Sequence, residues 1–306
     1  MLKIIVAMLA LSVALGKHSM ASEPSEPQLL RKAYFSEVTG KEREYYVFLP
    51  RGYDEDLLRR WPLILFLHGA GERGDGLADL EKVLAHGPLM ESWVLRRDLP
   101  FVIVAPQAPF PDGRSNPSSK PRGFVEKPDS LASPPLRPTP FPSTEPIPQD
   151  WGTLRDRSGS SVNPWLRMEA ELVAMVDQTA RAHRVDLDRL YLTGLSMGGF
   201  GAFGIAAARP NYFAAVAPIA GGGDPRSVDA LAKSQCPIWI FHGGRDRLVP
   251  PIESLQMANV LIAKGHRATR LTVHHDLDHD AWIRVYEGED LYAWLLANSL
   301  RRSPQP

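Results

Sequence analysis

The fold of this chain is decided by residues 189–208, RLYLTGLSMGGFGAFGIAAA. The run RLYLTG predicts a buried strand, and the apolar and small residues from Met197 onward predict a helix. The two are joined by GLSMG at residues 194–198, which matches the pattern G-x-S-x-G. A serine on a sharp, strained turn exposes its hydroxyl only if its neighbours are small, which explains the glycines. The strand, turn and helix together predict that Ser196 is a nucleophile.

Strand and helix patterns alternate along most of the rest of the chain. Predicted strands cover residues 43–49, 63–67, 101–105, 189–193, 214–219, 238–242 and 269–274. Predicted helices cover residues 164–183, 197–208, 252–264 and 289–299. This alternation is typical of an α/β fold, in which helices cover both faces of a mostly parallel sheet. We expect one such domain at residues 41–300, after a polar lead-in at residues 22–40.

A proline-rich segment interrupts this alternation. Twelve of the 28 prolines fall between Pro109 and Pro148. Because proline lacks a backbone donor, the segment cannot form a central strand or a regular helix. Loops of this length within compact domains are usually lids or excursions. Residues 109–148 are therefore predicted to be an insertion in the domain.

The composition argues against several classes of partner. The 306 residues include 35 Lys and Arg against 35 Asp and Glu, so no net field favours nucleic acid or an anionic membrane. The expected partner is a small, largely neutral molecule. Cys236 is the only cysteine, which excludes a disulfide framework and a cysteine-based zinc site.

Residues 1–21 have the pattern of a secretory signal peptide. One lysine precedes the apolar residues 4–15, and small residues at Ser19 and Ala21 suit cleavage after Ala21. The apolar run is shorter than the roughly 20 residues that span a bilayer. We therefore expect export to the periplasm or the extracellular space, without stable membrane insertion after the signal is removed.

A glycine-rich turn, HGAGERGD at residues 68–75, follows the predicted strand at residues 63–67. A turn of the H-G-x-G type can lend one backbone amide to an oxyanion hole, and the residue after the nucleophile lends the other. Ala70 and Met197 are the predicted donors, and His68 is expected to anchor the turn. A phosphate-binding loop is disfavoured, because no G-K-[ST] follows and no helix is predicted to start at the turn.

The acid and the base are predicted from the chain order serine, acid, histidine, which triads on a strand–turn–helix of this type follow. Asp246 lies just past the predicted strand at residues 238–242, beside two glycines, and is the predicted acid, with Asp224 as the alternative. His279 lies in the loop beyond the next strand and is the predicted base. His275 is its alternative, because strand ends can be misplaced by two residues.

The loop around His279 crowds histidines and aspartates and raises the question of a metal site. Asp276, Asp278 and Asp280 occupy the first acidic positions of a calcium loop. However, Ala281 replaces the glycine of the sharp turn, and a strand precedes the loop where a helix is required. Adjacent histidines on a strand point to opposite faces and cannot both bind one zinc ion. We therefore predict no metal and no cofactor.

Several ordered blocks resemble one known group of proteins. They are HGAGERGDG, LAHGP, VAPQ, DRLYLTGLSMGGFGAF, PIAGGGD, IFHGGRDRLVP and HDAW, spread over about residues 43–299. Together they look like secreted α/β-hydrolases of the carboxylesterase and predicted-peptidase type, whose relatives include polyhydroxyalkanoate depolymerases and feruloyl esterases. The resemblance implies the α/β-hydrolase fold and a serine hydrolase in which Ser196, Asp246 and His279 are catalytic.

The chain departs from this group in two places. Members usually cross from APQ to the next helix by a modest loop, whereas residues 109–148 intervene here. The residue before the catalytic histidine is usually glycine, but it is Asp278 in this chain. This second departure puts the local backbone of His279 in question.

The predicted function is hydrolysis of a small or polymeric carboxylic ester through an acyl-enzyme. A serine peptidase of the same fold is the nearest alternative, since esters and amides are cleaved by the same machinery. A non-catalytic ligand-binding protein on this scaffold is the further alternative.

Overall fold

One sheet of eight strands forms the centre of the molecule in the computed structural model, which describes residues 24–110 and 163–300. The strands are β1 (Gln28–Ser36), β2 (Lys41–Leu49), β3 (Trp61–Leu67), β4 (Val102–Pro106), β5 (Val185–Leu195), β6 (Ala215–Ile219), β7 (Ile238–Gly243) and β8 (Thr269–His274). Their order in the sheet is β1-β2-β4-β3-β5-β6-β7-β8.

The direction of the strands divides the sheet into two parts. The pairs β1 with β2 and β2 with β4 are antiparallel. Every neighbouring pair from β4 across to β8 is parallel. This mostly parallel sheet with flanking helices confirms the predicted α/β class. The loops that follow the parallel strands meet at one edge of the sheet, where such folds place their sites.

Helices connect the strands and cover the sheet. They are α1 (Gly87–Leu89), α2 (Pro164–Arg167), α3 (Glu169–Ala182), α4 (Met197–Ala208), α5 (Asp229–Ser234), α6 (Ile252–Ala263), α7 (Trp282–Glu287) and α8 (Asp290–Leu296). Shorter 3₁₀ turns lie at Ala70–Glu72, Leu80–Ala85 and Pro225–Ser227, and one π-helical turn lies at Met90–Val94.

Two apolar layers bury the two faces of the sheet. Along β3, Leu63 and Leu65 pack into one layer while Ile64 and Phe66 pack into the other, and none of the four is exposed. Apolar residues of α3, α4 and α6 complete the first layer, and those of α1, α7 and α8 complete the second. A strand buried on both faces needs a continuous apolar run, which is why LILFL was recognisable in the sequence.

The first strand is a correction to the sequence prediction. Residues 22–40 are predicted to be a polar lead-in, but β1 occupies Gln28–Ser36 and pairs with β2 along its whole length. Its residues alternate between more and less exposed positions, as expected for an edge strand with one face in contact with solvent. The segment therefore has a polar composition although it belongs to the sheet.

Other differences concern element boundaries. The predicted helix at residues 164–183 is divided at Met168 into α2 and α3. β5 begins at Val185, ahead of the predicted residue 189, because Val185 pairs with Trp61 across a register shift in the neighbouring strand. α7 is an additional short helix that the sequence patterns did not predict.

Two predicted segments lie wholly or largely outside the described residues. These are the predicted signal peptide at residues 1–21 and the predicted insertion at residues 109–148, of which only the first two residues are described. In the described part of the chain, no helix is both long enough and apolar enough to cross a membrane.

Candidate active site

Ser196 lies on the sharp turn between β5 and α4. Its backbone has φ 53° and ψ −116°, a conformation that is rare for a residue with a side chain. The turn is held by a hydrogen bond of 2.9 Å from the Ser196 amide to the carbonyl of Ile219, at the end of the adjacent strand β6. Such strain persists only where the surrounding structure enforces it, and it is common at functional sites.

The glycine at position 198 explains how α4 starts so close to the sheet. A Cβ atom on Gly198 would lie 1.9 Å from the carbonyl oxygen of Leu67, the last residue of β3. No side chain fits at that distance. The last glycine of the G-x-S-x-G pattern is therefore required by contact between two backbones.

The structure brings Ser196, Asp246 and His279 together from three separate loops. His279 Nε2 lies 2.9 Å from Ser196 Oγ, and His279 Nδ1 lies 2.7 Å from Asp246 Oδ2. In the neutral imidazole, Nδ1–H donates to the carboxylate and Nε2 accepts the serine proton. The three side chains thus form one hydrogen-bonded line, although Ser196 and His279 are 83 residues apart in the chain.

The Asp246 carboxylate is buried and fully hydrogen bonded, with only 3% of the residue exposed. Its Oδ1 accepts the backbone amides of Leu248 and Val249 at 2.9 and 2.8 Å. Burial alone would raise the pKa of Asp246, but hydrogen bonds from His242 and His279 outweigh it and hold that pKa well below its ordinary value. The carboxylate is therefore ionised.

The two alternatives from the sequence occupy other places. Asp224 is exposed, caps the 3₁₀ turn Pro225–Ser227 and forms an ion pair with Arg226. His275 is also exposed, and its backbone packs against Gly244. The hydrogen-bonded line to Ser196 runs through Asp246 and His279.

Asp278 stands beside His279 without backbone strain. The non-glycine residues with positive φ in the described part of the chain are Arg96, Ser196, Ala220 and Gln235, so Asp278 is outside the left-handed region that favours glycine. Its side chain is exposed. An aspartate therefore fits this position as well as a glycine would.

Another acidic residue of the loop, Asp276, has its partner on α7. Asp276 forms a bidentate ion pair with Arg284 on α7, with N···O distances of 2.9 and 2.5 Å. Within residues 24–110 and 163–300, no three metal-ligating side chains come together in a way that could hold an ion. Two residues of the charged stretch 274–280 thus have separate partners. Asp276 pairs with Arg284, and His279 is hydrogen bonded to Asp246.

The glycine-rich turn after β3 lies directly beside Ser196. A Cβ atom on Gly69 would be 3.7 Å from Ser196 Cβ. Ala70 is the first residue of the 3₁₀ turn Ala70–Glu72, and Met197 is the first residue of α4. The first amides of a helix have no partner within it. Both predicted oxyanion donors therefore belong to helical N-termini that adjoin the serine.

His68 anchors this turn, as expected. It is completely buried, its Nε2 accepts the Ala108 amide at 2.9 Å, and its Nδ1 lies 2.6 Å from the Gly69 carbonyl oxygen. Burial lowers the pKa of His68 to about 3. The neutral ring thus ties the turn to the end of β4.

Trp165 and Asn163 contribute contacts that the sequence patterns did not reveal. Trp165 Nε1 donates to the His68 carbonyl at 3.1 Å, and Asn163 Nδ2 donates to the Met197 carbonyl at 2.9 Å. Asn163 also accepts the Trp165 amide and so caps α2. These two residues connect the start of α2 to the turn at His68 and to the start of α4 at Met197. No local sequence motif identifies them.

Trp282, the first residue of α7, packs against the candidate base. Its ring meets the His279 ring nearly at a right angle, with 5.0 Å between centroids, and its other neighbour is His86 at 5.7 Å. His86 lies 3.6 Å from Glu72, whose burial raises the pKa of its carboxyl group. The rings of Trp282 and His86 thus lie on one side of His279.

Comparisons with known proteins identify the class. Residues 156–291 match the dienelactone hydrolase family. A thermostable esterase superimposes with a TM-score of 0.58 and 27% identity, covering 89% of this chain and 63% of that one. A CE1 ferulic acid esterase from Anaeromyces mucronatus superimposes with a TM-score of 0.53 and 19% identity, covering 92% and 93% of the two chains. The chain therefore has the α/β-hydrolase fold.

Sequence similarity to a curated protein extends over a short part of the chain. Poly(3-hydroxyalkanoate) depolymerase C of Paucimonas lemoignei is 50% identical over 48 residues, 16% of this chain and 12% of that one. The chain spans less than two thirds of the thermostable esterase and less than a quarter of the curated relatives it matches. These findings confirm the resemblance to esterases, feruloyl esterases and depolymerases that the sequence blocks indicated.

Proposed function

We propose that the protein is a serine hydrolase that cleaves carboxylic esters through an acyl-enzyme. The observation that carries the proposal is the unbroken hydrogen-bonded line from Asp246 through His279 to Ser196. A weak nucleophile such as a serine hydroxyl needs an adjacent base, and the base needs a third group that orients it. The three residues have the geometry that these roles require.

The first half of the reaction acylates Ser196. As Ser196 Oγ attacks the ester carbonyl, His279 Nε2 takes its proton, and the buried Asp246 carboxylate stabilises the imidazolium that forms. The proton then passes from Nε2 to the leaving alkoxide, and the alcohol departs. The second half repeats these steps with water as the nucleophile, which releases the acid and restores Ser196.

The amides of Ala70 and Met197 are proposed to stabilise the oxyanion of each tetrahedral intermediate. Support comes from their places at the first positions of two helical turns beside Ser196. A donor aimed at the developing charge contributes roughly 3 to 4 kcal/mol to the transition state. Because both donors are backbone groups, the glycine contacts around them matter more than the side chains at these positions.

Esters are preferred to peptides as the substrate class. The similar proteins include esterases and a depolymerase, and one of the esterase structures is a complex with ferulic acid. We therefore propose a small or polymeric ester as the substrate, and a serine peptidase remains the alternative within this fold.

Export is proposed on the sequence alone. The positively charged start, the apolar run and the small residues before Ala21 support cleavage of residues 1–21 and release to the periplasm or beyond. Expression of the full chain followed by N-terminal sequencing of the exported protein tests this. Recovery of an uncleaved chain in the cytoplasm would contradict it.

Turnover of model esters tests the activity. Purified protein is expected to hydrolyse p-nitrophenyl acetate, p-nitrophenyl butyrate and methyl ferulate, and Ser196→Ala is expected to lose this activity while keeping its fold by circular dichroism. A matched p-nitroanilide separates an esterase from a peptidase. Activity retained in Ser196→Ala would refute the mechanism, and failure of a fluorophosphonate probe to label Ser196 would favour a non-catalytic protein.

A further inference from the structure

A second histidine lies against the Asp246 carboxylate. His242, near the end of β7, is completely buried, and its Nε2 is 3.3 Å from Asp246 Oδ2. The same oxygen is 2.7 Å from His279 Nδ1. The carboxylate that orients His279 is therefore held between two imidazole rings, only one of which reaches Ser196.

The second ring nitrogen of His242 also faces an oxygen. Its Nδ1 is 2.7 Å from Ser254 Oγ, and the same Oγ is 2.7 Å from the carbonyl oxygen of Gly221. A hydroxyl has one proton, and a carbonyl can only accept. If that proton pointed to Nδ1, two oxygens would face each other at 2.7 Å with no proton between them. The hydroxyl therefore donates to Gly221, and Nδ1–H of His242 donates to Ser254.

The contacts of His242 Nε2 require a proton on that nitrogen too. His242 Nε2 is 2.8 Å from the carbonyl oxygen of Val249, besides its contact with Asp246. Both of these oxygens accept, because the Asp246 carboxylate is ionised. Nε2 must therefore carry a proton as well. Two donors on one ring make an imidazolium, and a buried carboxylate at 3.3 Å is the partner that a buried cation needs.

We propose that His242 is a positively charged positioning residue that holds Asp246 in place and offsets its negative charge at His279. The inference rests on the function proposed above. A lone buried carboxylate beside His279 would favour the protonated ring, which cannot accept the Ser196 proton. A cation on the far side of that carboxylate weakens this preference. His242 thereby favours the form of the His279 ring that accepts the Ser196 proton.

Other charged groups surround this arrangement on four elements. They are Arg245 and Arg247 on the Asp246 loop, Glu253 on α6, His274 at the end of β8, and Asp276, Asp278, Asp280 and Arg284 around the His279 loop. Among them, Glu253 and His274 are buried. The others are exposed or partly exposed, so water screens their effect on His279. The Asp246 carboxylate receives side-chain hydrogen bonds from His242 and His279.

The protonation state of His242 can be measured directly, without turnover. Long-range ¹H–¹⁵N correlation spectra of the labelled wild-type protein at pH 7.5, assigned through the bonds from the backbone, are expected to show protons on both ring nitrogens of His242. His266 is an internal reference, since its ring lies between the Thr269 hydroxyl and the Cys236 carbonyl. Burial lowers the pKa of His266, so a single ring proton is expected there.

A charge-removing variant tests the effect on the base. His242→Gln retains an amide donor for Asp246 and Val249 but carries no charge. The acid limb of its kcat/KM profile on p-nitrophenyl butyrate is expected to move up by about one pH unit, as removal of a cation within a few ångströms predicts. His266→Gln is the matched control, because it removes a buried histidine remote from Asp246, and its profile is expected to match that of the wild type.

Two results would overturn the proposal. One is a neutral His242 with a single ring proton at pH 7.5, and the other is a His242→Gln profile that superimposes on the wild-type profile. If His242→Gln does not fold, the wild-type spectrum decides. The spectrum is also independent of activity, so a failure of the proposed esterase function, detected with Ser196→Ala, is distinguishable from a failure of this inference.

Discussion

Gly243 and Asp278 are in direct backbone contact: a Cβ atom on Gly243 would lie 1.9 Å from the Asp278 carbonyl oxygen. The end of β7, which leads to Asp246, therefore limits how closely the loop that carries His279 can approach the sheet. A hydrogen bond of 2.9 Å from the Arg245 amide to the Leu277 carbonyl strengthens the same contact. The Asp246 and His279 side chains are aligned by this packing as much as by their own hydrogen bond.

Gly243→Ala is expected to displace the His279 loop. The added methyl group must push the Asp278 carbonyl away, and a displacement of about 1 Å in a catalytic group can cost about 10²-fold in rate. We expect a fall of that order in kcat/KM on p-nitrophenyl butyrate, together with a loss of about 1 to 3 kcal/mol in the free energy of unfolding. Both are measured by steady-state kinetics and urea titration.

Gly265→Ala is the control for this variant. Gly265 has φ +80°, and nothing lies within 4 Å of its Cβ position, so alanine there introduces strain without displacing the site. Its stability is expected to fall while kcat/KM stays within about twofold of the wild-type value. Equal losses of activity in the two variants would mean that instability, and not loop displacement, is the cause.

Asp246→Asn is expected to lower kcat by about 10⁴-fold on the same ester. The amide offers an N–H as well as an oxygen to His279 Nδ1, so the ring is no longer held in the tautomer that accepts the serine proton. Asp224→Asn is the matched control, because Asp224 is exposed and paired with Arg226. A comparable loss in Asp224→Asn would reverse the assignment of the acid.

Acidification is expected to destabilise the protein through His68. Its pKa falls from 6.5 to about 3 on folding because the ring is buried. Between these values the unfolded chain binds a proton that the folded chain does not, so stability is complete above pH 6.5 and is lost as the pH falls. The contribution is about 1.4 kcal/mol per pH unit within that window.

The free energy of unfolding in urea at pH 7.5 and pH 5 measures this effect. His68→Asn is expected to be less stable at both values but to show a smaller difference between them, since asparagine does not titrate. If the two proteins lose the same free energy over this interval, other groups cause the acid sensitivity and the neutral state of His68 is not its source.

Trp282→Ala is expected to lower kcat by up to about tenfold with little change in KM. An edge-to-face ring contact contributes about 0.5 to 1.5 kcal/mol, and the Trp282 contact orients the His279 ring at 88°. Trp282→Phe keeps an aromatic surface and is expected to retain most of the wild-type kcat. A change confined to KM in both variants would assign Trp282 to substrate binding instead.

Local chemistry made one part of the site predictable. The G-x-S-x-G turn, the flanking strand and the flanking helix are contiguous, so residues 189–208 were sufficient to predict the conformation of Ser196. The loops after β7 and β8 were also predictable, because parallel strands place the loops at their carboxyl ends along one edge. That rule selected Asp246 and His279 from several acidic and histidine residues nearby.

The choice between close alternatives needed the folded chain. Asp224 and Asp246 both follow buried strands, and His275 and His279 lie in one loop, so their local patterns do not separate them decisively. The question about Asp278 was likewise a question about φ, which a sequence does not display. The strand β1 was missed because its polar face gives it the composition of a loop.

By itself, the sequence determined the α/β class, the position of the strained serine and the loops that carry Asp246 and His279, because each of these follows from contiguous residues or from strand order. Only the tertiary structure decided that His242 and Asn163 belong to the site. Their hydrogen bonds join residues that are neighbours in space but carry no common pattern along the chain, and such contacts exist only after the sheet has brought the strand ends together.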